Sequence, residues 1–299
     1  MALEWLRQQL TDQYGQGAEA IWHGLSARRI TSLRVNTLKT STADITRQLA
    51  ETGLSAEQAL FYPDALKLPP DSEPALKKLT MFSDGEIYLQ SLSSMIPPLL
   101  LDVNPGDEVL DMCAAPGGKT SEIVQLSKGQ CMVTACEPDR IRCERLRSNL
   151  RRLGCERVNV LNTDARKLDD FLRFDRILLD APCSGSGTLQ LNRMEEKQAF
   201  SQKLVANSVR LQKELLIKAC KLLKRGGMLV YSTCSLLQQE NEGHFAAKIP
   251  GFEKMRLAGI QAELFSDVPL INNAMPGTIT VMPGSNFEGF FVAVFEKVG

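Results

Sequence analysis

The sequence contains little that would support a metal centre or a disulfide framework. It has only two histidines, and none of its eight cysteines stands in a C-x-x-C pair. Because paired cysteines and nearby histidines are the usual ligands of structural zinc, we expect no metal site. Cysteines scattered through 299 residues fit a reducing compartment, where thiols stay free for packing or for chemistry.

The sequence also lacks a long apolar segment. No run of apolar residues approaches the roughly 20 that are needed to cross a bilayer. The N-terminal segment carries Glu4 and Arg7 in place of the apolar core of a signal peptide. We therefore expect a cytoplasmic protein that does not bind membranes.

Neither sign of charge is in excess. The chain has 35 basic and 35 acidic residues, and this balance argues against a nucleic-acid partner because proteins that bind phosphate are usually basic. Locally, however, residues 140–157 contain seven arginines. Such a basic stripe is as typical of a solvated helix face as of a surface that contacts RNA.

Short apolar runs alternate with amphipathic segments from about Val109 onward. This pattern predicts parallel strands joined by helices, in a doubly wound, Rossmann-like α/β sheet. The predicted strands are residues 108–112, 132–136, 158–161, 176–179 and 228–232. The predicted helices are residues 120–126, 139–153, 194–224 and 240–247. Residues 278–281 and 289–295 are predicted to form an antiparallel pair at the sheet edge.

The beginning of the chain follows a different pattern, and we divide the protein into a small α+β domain, residues 1–80, and a catalytic domain, residues 81–299. In the first domain the predicted elements are a strand at 32–38, a helix at 42–51 capped by Ser41, and a strand at 60–68. Four basic residues lie near the first of these strands: Arg28, Arg29, Arg34 and Lys39. They are as compatible with a surface that binds substrate as with the ordinary surface of a soluble domain.

A glycine turn follows the strand at 108–112 and leads into a helix. In an open α/β sheet such a turn lies at the carboxyl edge, where ligands bind, and small residues let a ligand approach the backbone. Gly118, Lys119 and Thr120 match the end of a phosphate loop, but that motif requires a glycine where this chain has Cys113. No dinucleotide fingerprint follows the strand either, so a nucleoside-type cofactor remains.

Carboxylates follow the next two predicted strands. Glu137 is positioned to accept hydrogen bonds from both ribose hydroxyls of such a cofactor, and Asp164 from an adenine amino group. Either acid alone would more often be an ordinary loop residue. The ordered series of turn, acid and acid on consecutive strands predicts one shared site.

Two cysteine motifs follow on the next two strands, Asp180-Ala181-Pro182-Cys183 and Thr233-Cys234-Ser235. A free cysteine is usually an inert core residue, and it becomes a nucleophile only where its thiolate is favoured. A thiolate that adds to carbon 6 of cytosine turns carbon 5 into a nucleophile, and Asp180 can meet ring nitrogen 3 and the exocyclic amine. These residues alone do not rank Cys183 against Cys234.

Taken together, these motifs resemble the Nol/Nop/Sun (Fmu) family of RNA cytosine-5 methyltransferases. The resemblance is carried by residues 111–120, 180–187 and 232–235, with further likeness at 34–39, 85–94 and 289–291. It implies a class I enzyme that uses S-adenosylmethionine, with Cys234 as nucleophile and Cys183 assisting product release. It also implies that Lys119 reaches the target base as well as the cofactor. The implied cofactor site consists of Cys113, Ala114, Ala115, Pro116, Gly117, Gly118, Lys119, Glu137, Arg142, Asp164 and Asp180.

The resemblance makes RNA the expected partner, with rRNA favoured over tRNA, and the small N-terminal domain is expected to contact it. We expect a monomer. One rival is a non-catalytic RNA-binding assembly factor with a methyltransferase fold, which would be expected to lose one of the cysteines. Another is a DNA cytosine-5 methyltransferase, in which Cys183 would be the nucleophile and Cys234 dispensable. The presence of both thiols favours the RNA enzyme.

Overall fold

The computed structural model describes residues 2–192, 200–246 and 249–299, arranged as two sheets with their helices. The helices are α1 (Ala2–Tyr14), α2 (Ala18–Leu25), α3 (Thr42–Glu51), α4 (Glu73–Leu76), α5 (Thr80–Ser83), α6 (Leu92–Leu100), α7 (Gly118–Leu126), α8 (Arg140–Arg152), α9 (Gln202–Leu222) and α10 (Gly243–Ala246). Within these residues no helix is both long enough and apolar enough to span a bilayer.

The strands fall into a small sheet at the N-terminal end and a large sheet after it. Those of the small sheet are β1 (Thr31–Val35), β2 (Glu57–Gln58), β3 (Ala65–Leu68) and β4 (Ile87–Leu89). Those of the large sheet are β5 (Glu108–Asp111), β6 (Met132–Cys136), β7 (Asn159–Leu161), β8 (Phe174–Asp180), β9 (Leu223–Thr233), β10 (Met255–Leu257), β11 (Leu270–Ile271), β12 (Ile279–Val281) and β13 (Phe290–Lys297).

The large sheet has the strand order β11-β12-β13-β9-β8-β5-β6-β7, with β10 paired to β13. Strands β5 to β9 are parallel to one another, whereas β13 runs antiparallel to β9 and to β12. The chain moves outward from β5 to β7 and then returns to the other side of β5 with β8. This reversal creates a switch point at the carboxyl ends of β5 and β8, where open α/β sheets bind ligands.

Helices cover both faces of the large sheet, because the apolar residues of each helix recur at helical spacing and face the strands. Ile123 of α7 and Leu146 of α8 pack into the core on one face. Leu215 and Leu222 of α9 pack with Tyr231 into the core on the other face. The predicted doubly wound, Rossmann-like fold and its antiparallel edge pair are therefore confirmed.

The small sheet is antiparallel, in the order β2-β3-β1-β4, and α3 packs against it through Ile45 and Leu49. Ser41 caps α3 as predicted, since its Oγ accepts a hydrogen bond from the backbone of Asp44 at 3.1 Å. The strand predicted at 60–68 is limited to β3, because a turn bonds the backbone of Ala65 to the carbonyl of Tyr62. Strand β4, which pairs with β1, lies beyond residue 80.

The division at residue 80 stays a prediction, but neither the sheet nor the first two helices follow it. The small sheet extends to Leu89 through β4. Helices α1 and α2 pack away from the small sheet, where Leu10 and Leu25 share a core with Leu236 and Leu237 beside the large sheet. The N-terminal segment therefore contacts the large domain at both of its ends.

Arg34 of β1 joins the small sheet to α7 of the large domain. Its side chain is 1% exposed. Its guanidinium group donates to Gln90 Oε1 at 3.1 Å, to Ser121 Oγ at 2.6 Å, to the Gly118 carbonyl at 3.3 Å and to Gln125 Oε1. A buried guanidinium needs this many acceptors, because an unpaired charge in the interior is costly.

Two helices differ from the sequence prediction. Helix α9 begins at Gln202, with Ser201 Oγ accepting from the backbone of Leu204 at 3.2 Å, whereas we predicted a start at residue 194. Residues 193–199 lie outside the described part of the chain. The helix predicted at 240–247 is limited to α10, because residues 238–240 form a separate 3-10 turn. Its predicted last residue, Ala247, also lies outside the described residues.

Candidate active site

The turn between β5 and α7 is held by Asp111 and shaped by two glycines. Asp111 Oδ2 accepts a hydrogen bond from Thr120 Oγ1 at 2.7 Å, and burial raises the pKa of Asp111 to about 6. Gly117 has a φ of 108°, in the left-handed region that favours glycine. A Cβ atom there would lie 2.9 Å from Leu146 Cδ1, and one at Gly118 would lie 2.9 Å from Tyr88 Cε1. A side chain at Gly117 would therefore be strained by the backbone conformation, and one at Gly118 would require Tyr88 to shift.

Lys119 projects from this turn toward the end of β8. Its Nζ donates to Asp180 Oδ2 and to Ser94 Oγ, both at 2.7 Å. The other oxygen of Asp180 accepts from Ser232 Oγ at 2.8 Å. Burial alone would lower the pKa of Lys119, but the carboxylate of Asp180 outweighs burial and raises it. Lys119 therefore remains an ammonium group at the end of β8.

The two thiols that follow β8 and β9 face each other. The strands are parallel neighbours with Asp180 opposite Ser232, so the turns after them lie side by side. The Sγ atoms of Cys183 and Cys234 are 3.1 Å apart. The hydrogen bond with Cys234, followed by burial, raises the pKa of Cys183 well above its usual value. Cys183 therefore remains a protonated thiol beside Cys234.

A cavity of about 380 Å³ opens between the turns after β5, β6, β7 and β8. It contains both thiols and, of the eleven residues predicted to line the cofactor, six: Cys113, Ala115, Glu137, Arg142, Asp164 and Asp180. The structure thus brings together the turn, the two acids and the two cysteines that the sequence placed on separate strands.

A second cavity, of about 170 Å³, lies on the other side of Cys113 and Asp180. It contains four more of the predicted cofactor residues: Ala114, Pro116, Gly118 and Lys119. Gly117 lines neither cavity, since it is turned toward α8. The eleven predicted residues therefore do not share one wall, and Asp180, Cys113 and Ala115 are common to both cavities.

Glu137 lies at the end of β6 and is 2% exposed. Its Oε1 accepts from the backbone of Asp139 at 2.9 Å, and its Oε2 lies 3.3 Å from Arg142 Nη1. Arg142 also donates to the carbonyl of Ala115 at 3.1 Å. One guanidinium group therefore connects the acid after β6 to the glycine turn after β5.

The carboxylate of Asp164, which follows β7, is hydrogen-bonded to Arg166. Its carboxylate accepts from the backbone of Arg166 at 2.9 Å and from Arg166 Nε at 3.0 Å, and these bonds lower the pKa of Asp164. Arg166 also pairs with Glu214 of α9. Sequence reasoning missed Arg166, which lines the larger cavity, because an arginine two residues after an acid carries no distinctive signal.

The basic stripe at residues 140–157 is only partly available to a partner. Arg142, Arg147 and Arg152 donate to backbone carbonyls of the protein, and Arg152 also stacks on Phe82. The remaining arginines of the stripe are exposed: Arg140, Arg145, Arg151 and Arg157. Among all the residues that the structure describes, no cluster of three or more histidine, cysteine or acidic side chains has the arrangement of a metal site.

Comparison with known proteins identifies the family. A family model described as "16S rRNA methyltransferase RsmB/F" matches residues 98–296. The chain belongs to this RsmB/F family. A second model, for the RsmF/B-like ferredoxin-like domain, matches residues 4–71, which include the first three strands of the small sheet. The RsmB/F match contains both cysteine turns and every strand of the large sheet except the last residue of β13. The resemblance inferred from the motifs is confirmed.

Relatives of this RsmB/F chain include two curated proteins. The tRNA (cytosine(72)-C(5))-methyltransferase of Pyrococcus horikoshii is 36% identical over 233 residues, 77% of this chain and 57% of that protein. The probable ribosomal RNA small subunit methyltransferase B of Bacillus subtilis is 32% identical over 99% of this chain and 66% of that protein. The chain therefore spans less than two thirds of the length of either relative.

A solved structure of similar length also matches. It is a methyltransferase homolog protein from Pyrococcus horikoshii, 31% identical, with a TM-score of 0.81 over 97% of this chain and 94% of that one. The small sheet and the large sheet of the RsmB/F chain therefore recur together in a solved relative.

Proposed function

We propose that this chain is an S-adenosylmethionine-dependent RNA (cytosine-5)-methyltransferase that forms a covalent adduct between Cys234 and carbon 6 of cytosine. The observation that carries the proposal is the 3.1 Å approach of the two thiols, in the same cavity as Asp180. The names of the relatives support it, because both tRNA and rRNA methyltransferases are among them.

The larger cavity suits S-adenosylmethionine. Its volume of about 380 Å³ lies within the roughly 300–1,000 Å³ of small-molecule sites. The buried carboxylate of Glu137 would accept from ribose hydroxyls, Asp164 would accept from the adenine amine, and the backbone around Cys113 and Ala115 would border the rest. Arg142 would hold Glu137 in place. When bound, the cofactor supplies an electrophilic methyl group.

Cys234 would begin the reaction. Its sulfur gives up its proton to water and adds to carbon 6, forming a carbon–sulfur bond, while the electrons of the bond between carbons 5 and 6 move through the ring to nitrogen 3, which takes up a proton from water. Carbon 5 becomes an enamine-like nucleophile. The ammonium group of Lys119 interacts electrostatically with Cys234.

Asp180 would assist the addition of Cys234, and Cys183 would assist its later release. The carboxyl group of Asp180 would contact nitrogen 3 and the exocyclic amine, with Lys119 and Ser232 fixing its two oxygens. Once carbon 5 carries the methyl group and nitrogen 3 has returned its proton to water, loss of the carbon 5 proton to water restores the ring double bond and expels the Cys234 sulfur. We assign assistance at this release step to Cys183, whose sulfur is adjacent.

For the substrate we propose rRNA, with tRNA as the alternative. The family description and the Bacillus subtilis relative name rRNA, whereas the Pyrococcus horikoshii relative names tRNA. The small N-terminal domain and the four exposed arginines of α8 and its flanks would contact the phosphates. The target base must leave its stack to reach a thiol. We keep a monomer and a cytoplasmic location as expectations.

The experiment is a comparison of two single variants with RNA from cells that lack the gene. Cys183→Ala should accumulate a protein–RNA adduct that survives denaturing electrophoresis, and Cys234→Ala should neither form an adduct nor methylate. Adduct formation by Cys234→Ala would indicate the DNA-type mechanism, and a wild-type protein without methylation would indicate an assembly factor. Bisulfite sequencing of RNA with and without the gene then identifies the nucleotide.

A further inference from the structure

A buried acid outside the cofactor cavity contacts both cysteine turns. Glu240 belongs to the short 3-10 turn Gln238–Glu240 that follows the second cysteine turn, and its side chain is fully buried. Its Oε1 accepts from the Ser184 backbone at 2.8 Å, and its Oε2 accepts from Ser184 Oγ at 2.6 Å. The same Oε2 accepts from Ser235 Oγ. Ser184 directly follows Cys183, and Ser235 directly follows Cys234.

The residues that precede the two cysteines are also held by hydrogen bonds. Gln212 of α9 donates to the carbonyl of Pro182 at 2.9 Å and lies 3.4 Å from Glu240 Oε1. Thr233 Oγ1 donates to Asn241 Oδ1 at 2.6 Å. Each thiol therefore stands between two residues that are bonded to Glu240, to Asn241 next to it, or to Gln212 beside it.

We propose that Glu240 is a positioning residue for the reaction, because it joins the Cys183 turn to the Cys234 turn and so fixes the two sulfur atoms relative to each other. The inference rests on the covalent mechanism proposed above. Glu240 does not line the cofactor cavity, and among the described residues no hydrogen bond joins it to either thiol, so its contacts with the cysteine turns are those with Ser184 and Ser235.

A carboxylate is the side chain that fits this position. All the groups that meet it are donors: one backbone N–H, two hydroxyls and, at the longer distance, an amide N–H. Two carboxylate oxygens can accept all of them. Glutamine in place of Glu240 keeps one acceptor for the Ser184 N–H, and its amide can donate to the two hydroxyls after these rotate. Alanine leaves the buried donors without a partner, which is costly.

The test measures the rate of adduct formation in the Cys183→Ala background, with RNA from cells that lack the gene. Adding Glu240→Ala should slow the adduct by about 100-fold, the loss that a displacement of about 1 Å produces in a reactive pair. Glu240→Gln should restore most of that rate. The affinity for S-adenosylhomocysteine, measured by calorimetry, should change by less than about twofold, since Glu240 itself does not line the cofactor cavity.

Glu242 provides a matched control. It lies two residues away in the same buried segment, but among the described residues no hydrogen bond joins its side chain to Ser184 or Ser235. Glu242→Gln should leave the adduct rate unchanged. If Glu240→Ala does not fold, Ser235→Ala removes one of the same bonds and should also slow the adduct, by less than about 100-fold because the bonds to Ser184 remain.

The outcomes separate this inference from the function on which it rests. An unchanged adduct rate in Glu240→Ala, or in Ser235→Ala if the former does not fold, would overturn the positioning role alone. A parallel loss of S-adenosylhomocysteine binding would also overturn it, because the effect would then be general damage to the fold. Absence of any adduct from Cys183→Ala itself would overturn the proposed mechanism and, with it, the role of Glu240.

Discussion

Lys119 and Asp180 form an ion pair with 2.7 Å between Nζ and Oδ2, although they come from a helix and a strand 61 residues apart. The pair is largely shielded from water, with side-chain exposures of 13% and 27%. Asp180 also lines both cavities. The orientation of its carboxylate therefore depends on Lys119.

Replacing Lys119 by Met should reduce methyl transfer by about 100-fold, because Asp180 loses its charged partner and the second anchor of its carboxylate. The rate is measured as single-turnover transfer of a labelled methyl group to RNA. Lys119→Arg keeps the charge but not the geometry, and it should recover only part of the activity. Full activity in Lys119→Met would contradict the role assigned to this pair.

Gly117→Ala should weaken cofactor binding by at least about tenfold, or about 1.4 kcal/mol. The added methyl group would face Leu146 at 2.9 Å as well as a φ of 108°, so the turn must shift. Gly129→Ala is the matched control, because its φ of 72° is also positive but the space around it is open. It should cost about 1 kcal/mol of stability without changing affinity for S-adenosylhomocysteine. Equal affinities for the two variants would refute the prediction.

His244 should make the folded state sensitive to acid. Burial, and secondarily the charge of Lys213, lowers the pKa of His244 from 6.5 to about 4. The unfolded state therefore binds a proton first, and the free energy of unfolding should fall as the pH drops from about 6.5 to about 4, by up to about 1.4 kcal/mol per pH unit.

Urea titrations at several pH values measure this loss, and His244→Gln should flatten the pH dependence across that window. His23→Gln changes the other histidine, which is exposed, and should leave the dependence as it is. In NMR spectra the His244 ring protons should remain those of a neutral imidazole at pH 5.5. A His244 signal that titrates near pH 6.5 would rule out the expected origin of the acid sensitivity.

The sequence predicted the arrangement of the large sheet well because each of its strands carries its own local signal. The alternation of apolar runs and amphipathic segments identified β5 to β9, and the ends of those strands located Glu137, Asp180 and Cys234. Parallel strands place their carboxyl ends at one edge, so consecutive motifs meet in space whatever their distance in the chain.

The supporting contacts could not be predicted in the same way, because they join segments that no periodicity relates. Glu240 was assigned to a helix, yet its side chain satisfies donors of Ser184, 56 residues earlier. Arg166 donates to both oxygens of Asp164, an acid that we had predicted only as a ligand of adenine. Tertiary hydrogen bonds override local helical preference in the first case, and the sequence offers no distinguishing pattern in the second.

The Arg34 network also limits how pieces of such enzymes can be recombined. If the small sheet were exchanged for that of a relative, Ser121 and Gln125 of α7 would face different side chains. Any mismatch would leave a buried cation at position 34, or the groups that accept its hydrogen bonds, without partners. A working chimera must therefore carry these contact residues across together. For protein engineering, the small sheet and the large domain should therefore be transferred together and not exchanged separately.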